Sequence, residues 1–175
     1  MGGDTSSDAN FERHLIISAR NDEHIALAKQ LFLEYAESLG FSLCFQGFDA
    51  ELENLPGEYA APAGELLLAY SRVTPAASAT PTGCVGLRKI EANVCEMKRL
   101  FIRPEARGHG LGRALVERII QEARLRGYDR MRLDTLSPQM DSAIRLYRSV
   151  GFREIAPYTK NPLLGALYFE LKLGP

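Results

Sequence analysis

Residues Cys95–Leu115 read CEMKRLFIRPEARGHGLGRAL. The first eight, CEMKRLFI, have the apolar content of a strand, RPEARGHG is a turn-rich loop, and an amphipathic segment follows at once. From Leu111 to Arg126 that segment puts Leu111, Leu115, Ile119, Ile120 and Ala123 on one face. Arg113, Glu117, Arg118, Glu122 and Arg124 lie elsewhere, and Gly127 ends the pattern. A strand, a glycine-rich turn and a helix in succession leave the first N–H groups of the helix without partners, in a loop whose glycines let an anion approach the backbone. Two better-known glycine signatures do not fit. The dinucleotide fingerprint needs glycine where Arg113 stands, and the Walker loop needs a Gly-Lys-Ser/Thr run that is absent.

Val94 to Ile102 and Cys84 to Glu91 read as two strands joined by a tight hairpin at Ala92-Asn93. Glu65 to Val73 is a further strand, separated from them by the loop TPAASATPTG (residues 74–83). Nearer the amino terminus, His14 to Ser18 reads as a strand. Asn21-Asp22 caps a helix with Ile25, Ala28, Leu31, Phe32 and Tyr35 on its apolar face, and Phe48 to Leu55 adds a short second helix. Downstream, Arg130 to Thr135 alternates as a strand. Ser137-Pro138 reads as the cap and first residue of a helix carrying Ala143, Ile144, Tyr147 and Val150, and Phe152 to Ala156 and Ala166 to Leu173 close the chain as strands. This order predicts an α/β fold with a mixed sheet, about seven strands flanked by four helices. Residues 1–12 are expected to be a mobile tail and 13–175 a single domain, since 175 residues suit one core burying roughly 70% of the unfolded surface.

Composition narrows the function classes. Hydrophobic residues at 46% and charged residues at 25% are those of a globular protein, and no run approaches the length of a membrane span. Cys44, Cys84 and Cys95 show no CxxC spacing, which predicts reduced core thiols in the cytoplasm and no metal cluster. Charge is divided along the chain: residues 1–97 hold 6 Lys/Arg against 14 Asp/Glu, and residues 98–153 hold 13 against 6. Such a split suits a protein that meets an anion with one part and a cation with another, or simply solvated faces of different sign. Without aromatic interleaving or a basic chain overall, a nucleic-acid partner is not indicated.

The loop, its strand and the later segment LYRSVGF (residues 146–152) together resemble the GCN5-related N-acetyltransferase (GNAT) superfamily, whose pattern Arg/Gln-x-x-Gly-x-Gly/Ala is matched by Arg107, Gly110 and Gly112. The resemblance implies that acetyl-CoA is the co-substrate, without a metal. Backbone N–H groups from Arg107, Gly108, His109, Gly110, Leu111, Gly112 and Arg113 would hold its pyrophosphate, and main-chain groups of Leu100, Phe101 and Ile102 would pair with its pantetheine arm. A strand N–H near Leu100 or Phe101 would stabilise the oxyanion of a tetrahedral intermediate formed by direct attack of a primary amine. Tyr147 matches the family's general acid, though the position also suits a core tyrosine. Glu96 stands where several members carry a catalytic base, though it also suits an exposed glutamate in an alternating strand. His109 reads as a loop residue beside the coenzyme. One departure is Met140, where members often carry Asn, leaving Asp141 or Ser142 as substitutes.

The resemblance also places the acceptor groove between residues 32–58 and 157–165. These windows hold Glu34, Glu37, Asp49, Glu51, Glu53 and Glu58, with Tyr35, Tyr59 and Tyr158 nearby. Acidic walls of this kind favour a cationic small-molecule or peptide amine; ordinary solvated helix faces would look the same. Dimers are common in the family, which leaves a homodimer open. The alternative on the same fold is a non-catalytic acyl-CoA-binding or sensing module.

Overall fold

The computed structural model describes residues 14–71, 80–137 and 139–174; the expected tail and most of the 74–83 loop lie outside them. The elements in chain order are β1 (His14–Ser18), α1 (Asp22–Leu39), α2 (Phe48–Glu53), β2 (Glu65–Ser71), β3 (Gly83–Glu91), β4 (Val94–Ile102), α3 (Leu111–Leu125), β5 (Arg130–Leu136), α4 (Asp141–Ser149), β6 (Arg153–Ile155) and β7 (Ala166–Lys172). The seven strands form one sheet in the order β1-β2-β3-β4-β5-β7-β6. Every neighbour is antiparallel except β4 and β5. Seven strands and four α-helices match the architecture expected from the sequence.

Helices cover both faces of the sheet, which explains why β2 is buried at almost every residue instead of alternating. On one face Leu67, Ala69, Cys95 and Met97 pack with Leu111, Leu115, Val116 and Ile119 of α3 and with Ile144 and Tyr147 of α4. On the other, Leu66, Leu68 and Phe101 pack with Ala28, Leu31 and Phe32 of α1 and with Phe48 and Leu52 of α2.

Two irregularities of β4 position the site. Its parallel pairing with β5 ends at Glu96↔Arg132, so the two strands splay apart and the β5-facing edge of β4 beyond that point has no strand partner among the described residues. The second is a bulge against β3. Cys84 pairs with Phe101 but Gly86 pairs with Lys98, leaving one extra residue on β4. Arg99 takes the left-handed conformation there, at φ 60, and its carbonyl accepts the Cys84 thiol at 3.4 Å. The extra residue switches parity: Cys95 and Met97 face α3, whereas Phe101 faces α1.

Three local expectations are corrected. Helix α4 begins at Asp141, not at Ser137-Pro138. Ser137 does not cap it, because its N–H bonds the Gly165 carbonyl and its hydroxyl donates to Asp141. Met140 fills the cap position without a side-chain capping bond, and Pro138 itself lies outside the described residues. The short second helix stops at Glu53, before the Leu55-Pro56 step that disfavours helical backbone. Finally, Cys84 and Cys95 are buried thiols as expected, but Cys44 is exposed, because it opens a surface turn.

Candidate active site

The turn from β4 into α3 is made by Gly108 and Gly110, at φ 80 and 82. Residues with a Cβ occupy that region at a cost of about 1–3 kcal/mol. Gly110 is the N-cap of α3 and brings no side chain to satisfy the first turn, so the N–H groups of Leu111, Gly112 and Arg113 are open, at the positive end of the helix dipole. A groove of about 760 Å³ runs over this turn, lined by Gly108, Gly110, Leu111 and Gly112 and continuing along Leu100, Phe101 and Ile102. Its far wall is α4, through Ser142, Ala143 and Leu146. An open helix terminus, a glycine cradle and an unpaired strand edge are what a diphosphate on a strand-like arm requires, so these residues fit coenzyme A.

The side chains of the loop have other work. Arg107 folds back to donate to the Ile102 carbonyl at 2.9 Å. The His109 ring meets the Arg107 carbonyl, while its own carbonyl meets the ring of His14. Arg113 donates to Ser149 and Glu117. Where Met140 replaces the family's Asn, Ser142 lines the groove, and Asp141 is instead engaged by Ser137.

Beyond Leu100 and Met140 the groove continues into a smaller cavity of about 50 Å³, opened by the splay of β4 from β5. Met97, Lys98, Arg99 and Leu100 line one side, and Leu133, Asp134, Thr135 and Leu136 the other. Tyr35 and Gln46 close it from the α1 and α2 side, with Asn161 and Leu163 from the segment before β7. Tyr147 of α4 also lines it. This phenol is 4% exposed, has no hydrogen-bond partner among the described residues, and is pushed well above the ordinary tyrosine range by burial.

Glu96 stands at the root of the split, the last residue of β4 to pair with β5. It is 2% exposed, not the exposed glutamate of an alternating strand. Arg88, directly opposite on β3, donates to one carboxylate oxygen at 2.7 Å, and the Tyr158 hydroxyl donates to the other at 2.8 Å. Burial first, and the neighbouring carboxylates Glu96 and Asp134 next, raise the Tyr158 phenol far above its ordinary range.

The acidic windows are occupied by arginines. Glu34 takes two bonds from Arg103, Glu51 two close bonds from Arg99, and Glu58 one from Arg88. Glu37, Asp49 and Glu53 do not line the cavity. Much of the charge split between the two parts of the chain is thus taken up by pairs that join them. Sequence reading missed the cavity's own polar set, Lys98, Asp134, Gln46 and Asn161. Asp134 accepts from Asn161 at 3.0 Å, and Lys98 and Arg99 reach Gln46 at 3.4 and 2.9 Å. Two consecutive basic residues in a mostly apolar strand were the available signal, and only the bulge at Arg99 puts both on one side.

Among the described residues no helix is long and apolar enough to cross a membrane, and no cluster of three or more metal-ligating side chains forms.

A family model described as "Acetyltransferase (GNAT) family" matches residues 41–152. An N-acetyltransferase of Schizosaccharomyces pombe is 40% identical over 147 residues, covering 83% of this chain and 86% of its own. Among solved structures, an acetyltransferase of the GNAT family from Staphylococcus aureus superposes with a TM-score of 0.72 at 22% identity, over 92% of this chain and 99% of that one. Another, from Salmonella typhimurium, was solved with its cofactor acetyl-CoA and superposes at 0.63 and 20% identity, over 93% of this chain and 95% of its own. The chain belongs to the acetyltransferase (GNAT) family and is an acetyl-CoA-dependent N-acetyltransferase.

Proposed function

We propose that this enzyme transfers the acetyl group directly to a primary amine of a small-molecule or peptide acceptor that arrives as a cation. One observation carries the reading: the groove over the helix terminus and the cavity holding Tyr147 meet at Leu100 and Met140, so two reactants entering from opposite ends meet on β4. Acetyl-CoA supplies an activated thioester. Backbone N–H groups from Gly108 to Arg113 hold its pyrophosphate, since the expected Arg107 N–H is spent on the Pro104 carbonyl, and His109 contributes its main chain only. Leu100, Phe101 and Ile102 pair with the arm along the open strand edge. An N–H near Leu100 or Phe101 receives the thioester oxygen, the place where charge develops.

The acceptor nitrogen must lose a proton before its lone pair can form the new N–C bond, and the C–S bond then breaks to leave a thiolate. Glu96 takes the first proton. Its bond from the Tyr158 hydroxyl supports a relay, in which that oxygen accepts a proton from the amine side as it passes its own to the carboxylate. Tyr147 protonates the departing sulfur and takes in exchange the proton that the nitrogen still carries after attack, which restores the phenol; because burial raises it, the phenol stays protonated until the thiolate forms. Attraction for the ammonium comes from Asp134, which lines the cavity, and not from the arginine-paired acids of α1 and α2.

The free thiols Cys44, Cys84 and Cys95 support work in a reducing compartment, the cytoplasm. Incubation with acetyl-CoA and a panel of amines, read by mass spectrometry, tests the reading. An acetylated amine is expected; no product with acetyl-CoA still bound would mean either an acceptor outside the panel or a non-catalytic acyl-CoA-binding module.

A further inference from the structure

Three cations stand near the acceptor cavity, and two of them are accounted for. Arg88 is shared by Glu58 and Glu96. Arg99 is 3% exposed in its side chain, is held by Glu51 at 2.6 Å, and packs its guanidinium over the Phe48 ring at 5.1 Å. Lys98 differs. It lines the cavity, yet among the described residues no carboxylate lies within ion-pair distance of its ammonium, and its one hydrogen bond is a long one of 3.4 Å to Gln46. The same Gln46 oxygen is already engaged by Arg99 at 2.9 Å. Burial lowers the Lys98 pKa, outweighing the attraction of the more distant Glu96 and Asp134 carboxylates.

Asp134 is the complementary case. It lines the other side of the cleft and, among the described residues, accepts a bond only from the neutral Asn161 amide. One positive and one negative group, neither with an ion-pair partner among the described residues, therefore line the same narrow cavity, on strands that have splayed apart. A single ammonium ligand would satisfy Asp134 and leave Lys98 as costly as before. A ligand with an ammonium and a carboxylate a few bonds apart satisfies both, and a cavity of about 50 Å³ takes the reacting end of such a molecule and little more.

We propose that the acceptor is a zwitterion of the α-amino acid class, its carboxylate held by Lys98 and its amine directed by Asp134 toward the thioester. This rests on the amine-acetyltransferase reading above and narrows it. Lys98 then acts as a specificity-determining residue: it selects acceptors by the group beside the reacting nitrogen, while Gln46 keeps its ammonium turned to the cavity. A protein amino terminus, whose neighbouring carbonyl is an uncharged amide, lacks the second charge and is disfavoured.

The test compares initial rates on the common α-amino acids, their carboxamides and the corresponding decarboxylated amines. With the unmodified enzyme, kcat/KM for the best amino acid is expected to exceed that for its carboxamide and its amine by tenfold or more. In Lys98→Met that ratio falls toward one through a rise in KM for the acid, and Lys98→Arg restores part of it. A melting curve and an acetyl-CoA titration establish that each variant is folded. Should Lys98→Met fail to fold, competitive inhibition of the unmodified enzyme by the amine-free carboxylic acid of the same skeleton replaces it; no inhibition overturns the proposal. Equal rates on acid, amide and amine, or a preference that survives in folded Lys98→Met, overturn this inference alone. Failure of every member of every series to be acetylated overturns the amine-acetyltransferase reading, and this inference with it.

Discussion

The groove and the cavity that meet on β4 are built in different ways. The groove is made by backbone: two left-handed glycines, an uncapped helix terminus and an unpaired strand edge, all within residues 98–113. The cavity is made by side chains from distant parts of the chain, such as Lys98 and Arg99 with Gln46 and Asp134 with Asn161. A backbone site recognises a constant ligand and depends on conformation. A side-chain site can be re-specified one residue at a time, while the fold and the coenzyme site stay as they are.

The sharpest way to break this division is at Tyr147, which lines the cavity and does not line the groove. Removing the phenol oxygen in Tyr147→Phe takes away the proton donor without enlarging or recharging the groove. Turnover should fall by about 10²–10⁴, the usual worth of general acid catalysis, with the acetyl-CoA dissociation constant within about twofold of its former value. Rapid-quench turnover and calorimetric titration of acetyl-CoA read the two quantities separately. A parallel loss of affinity would mean that the two regions are not independent, and unchanged turnover would remove Tyr147 from the chemistry.

The same division explains what could be read from the sequence. The Arg107–Gly112 pattern was legible because glycine spacing reports backbone conformation directly, and α3 because its apolar face repeats at helical period. Asn21 was legible as a cap, and the structure has its side chain accepting from His24 N–H at 2.8 Å. The start of α4 was misread because Ser137-Pro138 carries the local signature of a cap, while the Gly165 carbonyl, 28 positions along the chain, takes the Ser137 N–H. The acidic windows misled for a similar reason. Sequence shows that Glu34 and Glu51 are charged but not that Arg103 and Arg99 neutralise them across 69 and 48 positions. Lys98 and Arg99 were visible as consecutive basic residues but not as neighbours in one cavity, because only the bulge at Arg99 puts both on the same side.

From the groove's side, Gly110→Val probes the claim that conformation carries the coenzyme site. Valine at φ 82 is strained by roughly 1–3 kcal/mol, and if the loop relaxes to relieve it the N–H groups turn away. Acetyl-CoA should then bind about ten- to a hundredfold more weakly, measured by calorimetry, and saturating coenzyme should recover most of the turnover. Full affinity in this variant would place the pyrophosphate elsewhere.

The smallest expected effect tests the joint between the two regions. Arg103 leaves the end of β4, beside the groove, and donates two bonds of 2.8 Å to Glu34 of α1, the helix that closes the acceptor side. Those hydrogen bonds, with the guanidinium charge behind them, outweigh desolvation and hold the Glu34 carboxyl below its usual value of 4.5. A carboxylate lowered on folding stabilises the folded state above its unfolded pKa, and the contribution is lost as pH falls through the lowered value. Because the pair is partly exposed, solvent screening keeps its worth to about 1 kcal/mol or less. Glu34→Gln should therefore lower the melting temperature by a few degrees between about pH 6 and 8 in low salt, and the difference from the parent should shrink steadily below about pH 4. A difference that stays constant to about pH 3 would show that the substitution costs packing rather than charge. If the carboxylate does matter, it couples the position of α1 to the end of β4, so acceptor KM should rise in the same variant while acetyl-CoA affinity holds.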